Sequence, residues 1–367
     1  MPAKDHHSTP FDPETLVKLE IFEDYAEAWI PTFVMQKCGN ICIFDFFAGP
    51  GKDKNGIDGS PIRILKKIRG QIHHILGKGK KIQLFLNELD KSKFDLLKIS
   101  CSNYLEENPD VNRAVTIKYF NQDCDELFDE LYPSIESNPS LVYFDQNGIK
   151  HLKHISKLEK TSRTDFLYFV SSSFVRRFGD RDEFKTYLNV DMQELNNQPY
   201  KFIHRTLLSE IRATLLPPET KMSLYPFSIK KGSNIYGIIF GASHIRAVDK
   251  FLTIAWKKNQ INGEANFDID DDSEKSQLSL FGDKRLTKIE SFQKLIKEKI
   301  LSKEITNNID LFPLVLEEGH IGKHAADCLR AMKKNGEITY ESTSPLITYE
   351  NYKDKKRLEY KVNRSAD

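Results

Sequence analysis

Cysteine is scarce in this chain and never paired. Cys38, Cys42, Cys101, Cys124 and Cys328 stand apart in 367 residues, with no C-x-x-C spacing. An odd count without paired spacing argues against a disulfide framework or a zinc ribbon, and reduced thiols in a cytoplasm are the simplest reading. Long apolar runs are missing too: none reaches the roughly 18 residues that a membrane span needs. The opening from Met1 to Pro13 is polar, so no secretory leader is expected. Nor does charge of one sign prevail. The 54 Lys and Arg residues face 53 Asp and Glu, for a net charge of +1. Any contact with nucleic acid must therefore come from local clusters. Finally, no G-x-G-x-x-G turn is present, which weakens a nicotinamide dehydrogenase reading.

What remains is ordinary globular material, 39% hydrophobic and 29% charged, long enough for two domains. Helical spacing of Leu16, Leu19, Phe22, Tyr25, Ala26 and Trp29 predicts a helix over 14–36, with Pro13 at its start. Short apolar runs then alternate with helical segments. Strands are expected at 41–46, 82–88, 114–120, 141–144 and 166–170, with helices at 60–76, 90–107 and 125–131. Such alternation, with near-continuous apolar strands, argues for a parallel sheet covered on both faces. A helical insertion is expected near 180–216. Strands at 223–230 and 234–241 follow, joined tightly through Lys230-Lys231-Gly232-Ser233. A helix over 245–258 closes this domain, taken as 1–260.

The run Ile41-Cys42-Ile43-Phe44-Asp45-Phe46-Phe47-Ala48-Gly49-Pro50-Gly51 ends a strand in an acid and breaks into a glycine turn. Parallel α/β sheets receive nucleoside-like cofactors at this point. The form Asp-x-Phe-Ala-Gly-x-Gly suits S-adenosylmethionine, which has no pyrophosphate to cradle. Asp45 would hold its amino group. The backbone of Phe46, Phe47, Ala48, Gly49 and Gly51 would approach its methionine part closely. Glu88, Asp123 and Asp145 end three further strands. Glu88 would accept from ribose hydroxyls, although it lies further along the chain than the roughly 20 residues usual after such a turn. Asp123 with Asn121 would face the adenine amine. Asp145 would meet the substrate where a methyl group is transferred. Each acid alone is also compatible with a helix cap or a solvated strand end. Ser60, in Gly59-Ser60-Pro61, reads as a contact to the cofactor carboxylate or as an N-cap. Lys18 reads as a surface lysine, with steering of that carboxylate as the alternative.

These residues carry a family resemblance. The helix beginning at Thr15-Leu16-Val17-Lys18-Leu19-Glu20-Ile21, Asp45-Phe46-Phe47-Ala48-Gly49-Pro50-Gly51, Gly59-Ser60-Pro61, Phe144-Asp145 and Phe169-Val170-Ser171 with Arg176-Arg177 resemble the three-Cys-motif partner family. These are bacterial proteins similar to S-adenosylmethionine-dependent methyltransferases. The resemblance implies a Rossmann-like methyltransferase sheet, parallel with an antiparallel final strand, plus a C-terminal winged-helix-like domain. It also implies a partner protein bearing three cysteines, of an iron-sulfur or radical-SAM-like kind. One departure stands out. The family pattern after the fourth strand resembles Asp-Pro-Phe-Gly, whereas this chain has Asp145-Gln146-Asn147-Gly148. Asp145 and Gly148 keep the catalytic positions, but the ring that would stack on a flipped base is missing. Either another aromatic replaces it, the substrate is not a base, or the chain is a cofactor-binding scaffold without methyl transfer.

Residues 261–283 read as an acidic linker. A calcium loop counted from Asp268 would put serines, Ser273 and Ser279, where a glycine and an acid are required. Residues 284–367 then suggest three helices and a basic-tipped hairpin, with strands at 347–349 and 358–362 around Lys355-Lys356-Arg357. This stretch has 17 basic residues against 13 acidic ones. The tip is one candidate nucleic-acid contact. The other is Arg63–Lys81, with seven Lys or Arg and no acid, which also reads as a solvated helix face. No metal site is expected. His320, His324 and Cys328 lie on the face of an ordinary packed helix, and His151 and His154 lack a third ligand nearby in sequence.

Overall fold

In the computed structural model, the described residues are 10–37, 39–146, 148–181, 185, 192–275 and 285–363. They form two compact units, Met1–His244 and Ile245–Asp367.

The first unit opens with α1 (Pro13–Val34). Asp12 caps it by accepting from Thr15 N at 2.8 Å, and Pro13 occupies the first turn. Its buried stripe includes Leu19, Phe22, Ala26, Trp29 and Ile30. Phe22 stacks on Tyr143, with ring centroids 3.9 Å apart. The Tyr25 hydroxyl donates to Asp165 at 2.7 Å. Then follow β1 (Ile41–Asp45), α2 (Ser60–Gly70), α3 (Ile72–Gly77), β2 (Ile82–Asn87), α4 (Lys91–Glu107), α5 (Pro109–Ala114), β3 (Val115–Phe120), α6 (Cys124–Ser137) and β4 (Ser140–Asp145). Next come α7 (Ile155–Leu158), β5 (Thr164–Val170), α8 (Ser172–Phe178), α9 (Met192–Asn197), α10 (Ile203–Leu215), β6 (Ser223–Lys231) and β7 (Asn234–Ala242).

The strands form one sheet in the order β3-β2-β1-β4-β5-β7-β6. β1 to β5 run parallel, and β7 lies antiparallel between β5 and β6. This is the expected Rossmann-like methyltransferase sheet. The order reverses between β1 and β4, the switch point at which open α/β sheets bind ligands. The expected insertion near 180–216 contributes α9 and α10; residues 182–184 and 186–191 lie outside the described residues. His204 on α10 is buried, bonded to Ser172 Oγ (2.8 Å) and Ile238 O (3.0 Å). Its ring occupies the space that a side chain on Gly237 would need. The β6–β7 turn is tighter than the expected tetrad, only Gly232 and Ser233, with Gly232 at φ +56°.

The second unit begins with α11 (Ile245–Lys258), whose sequence had placed it with the first domain. Its buried face includes Phe251, Leu252, Ala255 and Trp256, and Trp256 Nε1 donates to Gly319 O at 2.9 Å. The described part of the acidic stretch, to residue 275, is folded. Ala265 and Ile269 are fully buried, and Asn262 donates to Phe267 O at 2.8 Å. Asp268 accepts from the Asp272 and Ser273 amides, which makes it a turn brace. After α12 (Asp272–Lys275) come α13 (Lys288–Leu301), α14 (Asn308–Glu317), α15 (Gly322–Lys334), β8 (Ile338–Thr339), α16 (Tyr349–Lys353) and β9 (Lys361–Val362). Three helices and an antiparallel β8–β9 ribbon give the winged-helix form. The wing differs from expectation. Tyr349 starts a helix capped by Thr348, so 347–349 is no strand, and β9 pairs with β8. Lys355-Lys356-Arg357 therefore lies after α16 within a long connection, exposed as expected but not at a hairpin tip.

Candidate functional site

Parallel strands carry their terminal side chains to one rim, and four of the expected residues meet there. Asp45 ends β1, Glu88 follows β2, Asn121 follows β3 and Asp145 ends β4. Asp45 is buried. Its carboxylate accepts from Ser60 Oγ at 2.6 Å and from Phe47 N at 3.1 Å. Burial pushes its carboxyl up to about 7. The Ser60 and Phe47 hydrogen bonds oppose this, and the charges of Asp145 and Glu88 add to it. Ser60 thus serves Asp45 from the first turn of α2 and does not cap that helix.

The turn between β1 and α2 is tied down from both sides. Gly49 and Gly51 adopt φ +61° and +84°. A side chain on Gly51 would come within 2.8 Å of Ser100 Cβ. Gly49 N donates to Glu88 Oε2 at 3.1 Å, and Asp90 N to Glu88 Oε1 at 2.8 Å. Burial raises the Glu88 carboxyl above its ordinary value. Ala48 N donates to Asn87 O at 2.8 Å. Asn87 itself, missed in the sequence, is buried and joins two loops: it donates to Phe46 O and Gln122 O and accepts from Gln122 N. Asn121 donates to Glu88 O and Leu89 O, so its amide braces the turn after β2. Asp123 caps α6 through Asp125 N at 2.8 Å, with Lys150 Nζ at 3.7 Å from its other oxygen. Phe46 is buried and stacks on Phe144 (4.7 Å, 5°), while half-buried Phe47 lies 5.4 Å from the His151 ring.

Beyond β4 the arrangement departs from expectation. Lys18 is no surface lysine: it is buried, and its Nζ lies 2.5 Å from Asp145 Oδ2 and 4.4 Å above the Phe169 ring. Gln146 is buried. It accepts from His151 N at 2.9 Å, and its Nε2 has no partner among the described residues. Asn147 lies outside the described residues, and Gly148 takes φ +95°.

His151 and His154 do have a third group beside them, from an element far off in sequence. Asp125 Oδ1 lies 2.5 Å from His151 Nδ1 and 2.8 Å from His154 Nε2, and Lys153 Nζ lies 2.8 Å from Oδ2. Burial pushes the Asp125 carboxyl up, but these three partners outweigh it and hold it below its ordinary value. Burial takes the His154 imidazole down to about 4. Cys124 adds a thiol within 4.8 Å of the Asp125 and His151 atoms. Donors on one tetrahedral zinc stand about 3.3 Å apart, given bonds of ~2.0 Å. The shorter separations here, with an ammonium on the second oxygen, make this a hydrogen-bonded brace for the segment after β4.

Of the basic segment Arg63–Lys81, Arg63 pairs with Glu23, Lys66 with Asp58 and Lys67 with Glu27.

A family model described as a GMT-like wHTH domain matches residues 267–345. No curated protein matches the chain. Several solved structures resemble it at low identity. The O-methyltransferase from Bacillus cereus in complex with SAH is 13% identical, with 63% of this chain and 91% of that chain covered and a TM-score of 0.33. The N-terminal domain of human METTL16 in complex with SAH is 14% identical, with 64% and 72% covered and a TM-score of 0.29. The DszA carbon methyltransferase is 12% identical at a TM-score of 0.33; the match covers 62% of this chain and 53%, about half, of that protein.

Proposed function

We propose that the chain is a methyltransferase that uses S-adenosylmethionine and acts on nucleic acid or a nucleic-acid-associated target, together with a three-cysteine-motif partner. One observation carries this reading. At the switch point of a β3-β2-β1-β4-β5-β7-β6 sheet, a glycine turn tied to Glu88 follows the buried carboxylate of Asp45, and Asp145 stands on the neighbouring strand. The residues fit the cofactor. Gly51 has no room for a Cβ, so backbone lines the turn. Each carboxylate oxygen of Glu88 accepts one hydrogen bond and keeps a second lone pair for a ribose hydroxyl. The adjoining crevice, lined by Phe44, Phe46, Phe85, Asn87, Phe120 and Leu127 among others, holds only about 140 Å³.

When bound, the cofactor supplies a methyl group on a sulfonium. The chain's own residues orient and shield. Asp45, Glu88 and the Phe46–Gly51 backbone hold the ligand, and Asn121 and Asp123 fix the loops beside it. Asp145 accepts a hydrogen bond from the acceptor amine and takes up its proton. A second reading, a cofactor-binding scaffold without chemistry, is favoured by the Lys18–Asp145 pair, which already engages the carboxylate.

Calorimetry with S-adenosylmethionine and with NAD tests the cofactor, and tighter NAD binding would end the methyltransferase reading. Tritiated methyl transfer to cellular RNA, DNA and protein, with the three-cysteine partner present, separates enzyme from scaffold. Absence of label in every pool would select the scaffold.

A further inference from the structure

We propose that Phe169 on β5, backed by Tyr236 on β7, is the ring on which the acceptor stacks, and that the acceptor is a neutral planar amine of the nucleobase class. This rests on the methyltransferase reading and adds to it the substrate-side ring that Asp145-Gln146-Asn147-Gly148 lacks.

Three observations converge. First, Asp145 and Phe169 are register partners on adjacent parallel strands, so their side chains leave the same face of the sheet side by side. Second, Phe169 is the one residue of β5 that is not buried. It stacks on Tyr236, itself half-buried, with ring centroids 5.7 Å apart and 7° between planes. A parallel pair of this kind holds one flat face in place. Third, the spot is already occupied by a nitrogen. Lys18 Nζ lies against Asp145 Oδ2 at 2.5 Å and over the Phe169 ring at 4.4 Å. That pose shows that a donor nitrogen at this spot reaches the carboxylate with the Phe169 ring directly beside it.

Charge decides which amine. With Lys18 and a sulfonium close by, a cationic alkylammonium would bring a third positive charge to a single carboxylate. A neutral aromatic amine donates to Asp145 without that repulsion, and its ring gains stacking area on Phe169. Lys18 then withdraws from the ring face.

The test uses the full chain, saturated with S-adenosylhomocysteine, in wild-type, Phe169→Leu and Phe169→Trp forms. Short fluorescent homopolymers of deoxyadenosine, deoxycytidine and thymidine are titrated by anisotropy. Calorimetry with S-adenosylhomocysteine and thermal melting accompany each form. The amine-bearing homopolymers should bind better than thymidine, which offers a carbonyl where cytosine has its amine. Phe169→Leu should weaken them about tenfold or more, and Phe169→Trp should restore them, since an aromatic face stacks bases whatever its identity. Cofactor affinity should be alike in all three, and melting should show that each form is folded. The proposal is overturned if Phe169→Leu binds as wild type does, if thymidine binds equally, if Phe169→Trp fails to rescue, or if a lysine peptide competes more strongly than the amine-bearing oligomers. If wild type binds the cofactor product but no oligomer, this ring assignment alone fails. If wild type does not bind the product, the underlying reading fails.

Discussion

Two carboxylates of the first unit behave in opposite ways. Asp45 is buried with a hydroxyl and an amide as partners, and its carboxyl rises to about 7. In the unfolded chain it would ionise near 3.8. Between those values the native state binds more protons than the unfolded state, so this group's contribution to stability falls as pH rises. Asp45→Asn removes that dependence. Urea unfolding at about pH 5 and about pH 8 should show the wild type losing more stability over that rise than the variant. Equal losses would mean that Asp45 is ionised throughout in the native state. Asp125 is the reverse case, held below its ordinary value by His151, His154 and Lys153. Asp125→Ala would leave two buried imidazoles without an acceptor, at about 1–3 kcal/mol for each orphaned donor. A drop of about 2 kcal/mol or more in unfolding free energy is expected, and a neutral result would contradict the brace. The strand-end acids were legible because each closes a short apolar run. Lys18 was not, because its partner Asp145 lies 127 residues away and only the sheet brings α1 over β4. The same holds for Asp125, whose imidazole partners are 26 and 29 residues distant.

At the level of elements, the strands were the most readable part. β1, β2, β4 and β5 are almost wholly buried, so their apolar runs stand out whatever lies around them. Helix partnership was less readable. The apolar face of α11 fits any core, and nothing local assigns it to the second unit. The wing was misread for a similar reason: Ile347 is buried and suits a strand, but Thr348 accepts from Asn351 N and starts a helical turn instead. Asn308, buried on α14, holds that long connection by donating to Leu346 O and Lys356 O and accepting from Leu358 N. No pattern in the sequence signals that role. The β1–α2 turn yields its own prediction. Gly51→Ala brings a methyl against Ser100 and places alanine at φ +84°. Strain of about 1–3 kcal/mol is expected. Because Gly59 N donates to Gly51 O at 2.8 Å, the start of α2 and Ser60 should shift with it. Cofactor affinity should therefore fall along with stability, read by calorimetry and melting on one preparation. Lost stability with unchanged affinity would remove this turn from the binding site.

For the molecule as a whole, near-zero net charge limits what any nucleic-acid contact can be. A chain with 54 basic and 53 acidic residues has no broad field to steer a polyanion, so binding must rest on a few local cations. In the second unit, Lys355 and Lys356 are exposed after α16, whereas Arg357 pairs with Glu359 at 2.5 Å. On the first unit, Arg63, Lys66 and Lys67 are matched by Glu23, Asp58 and Glu27. Paired cations release fewer counterions on contact, so the lysines after α16 should contribute more to the salt dependence than Lys66 and Lys67. For duplex DNA the logarithm of affinity falls with the logarithm of salt by roughly 0.9 per neutralised phosphate. Replacing both Lys355 and Lys356 with Glu should reduce that slope by about 2 and weaken binding across sequences alike. Replacing Lys66 and Lys67 should change it little. Cofactor binding, which the proposal assigns to the first unit, should be the same in both variants. If the slope is instead insensitive to Lys355 and Lys356, the winged-helix unit docks protein, and the nucleic-acid target of the proposed reaction must be reached through the partner.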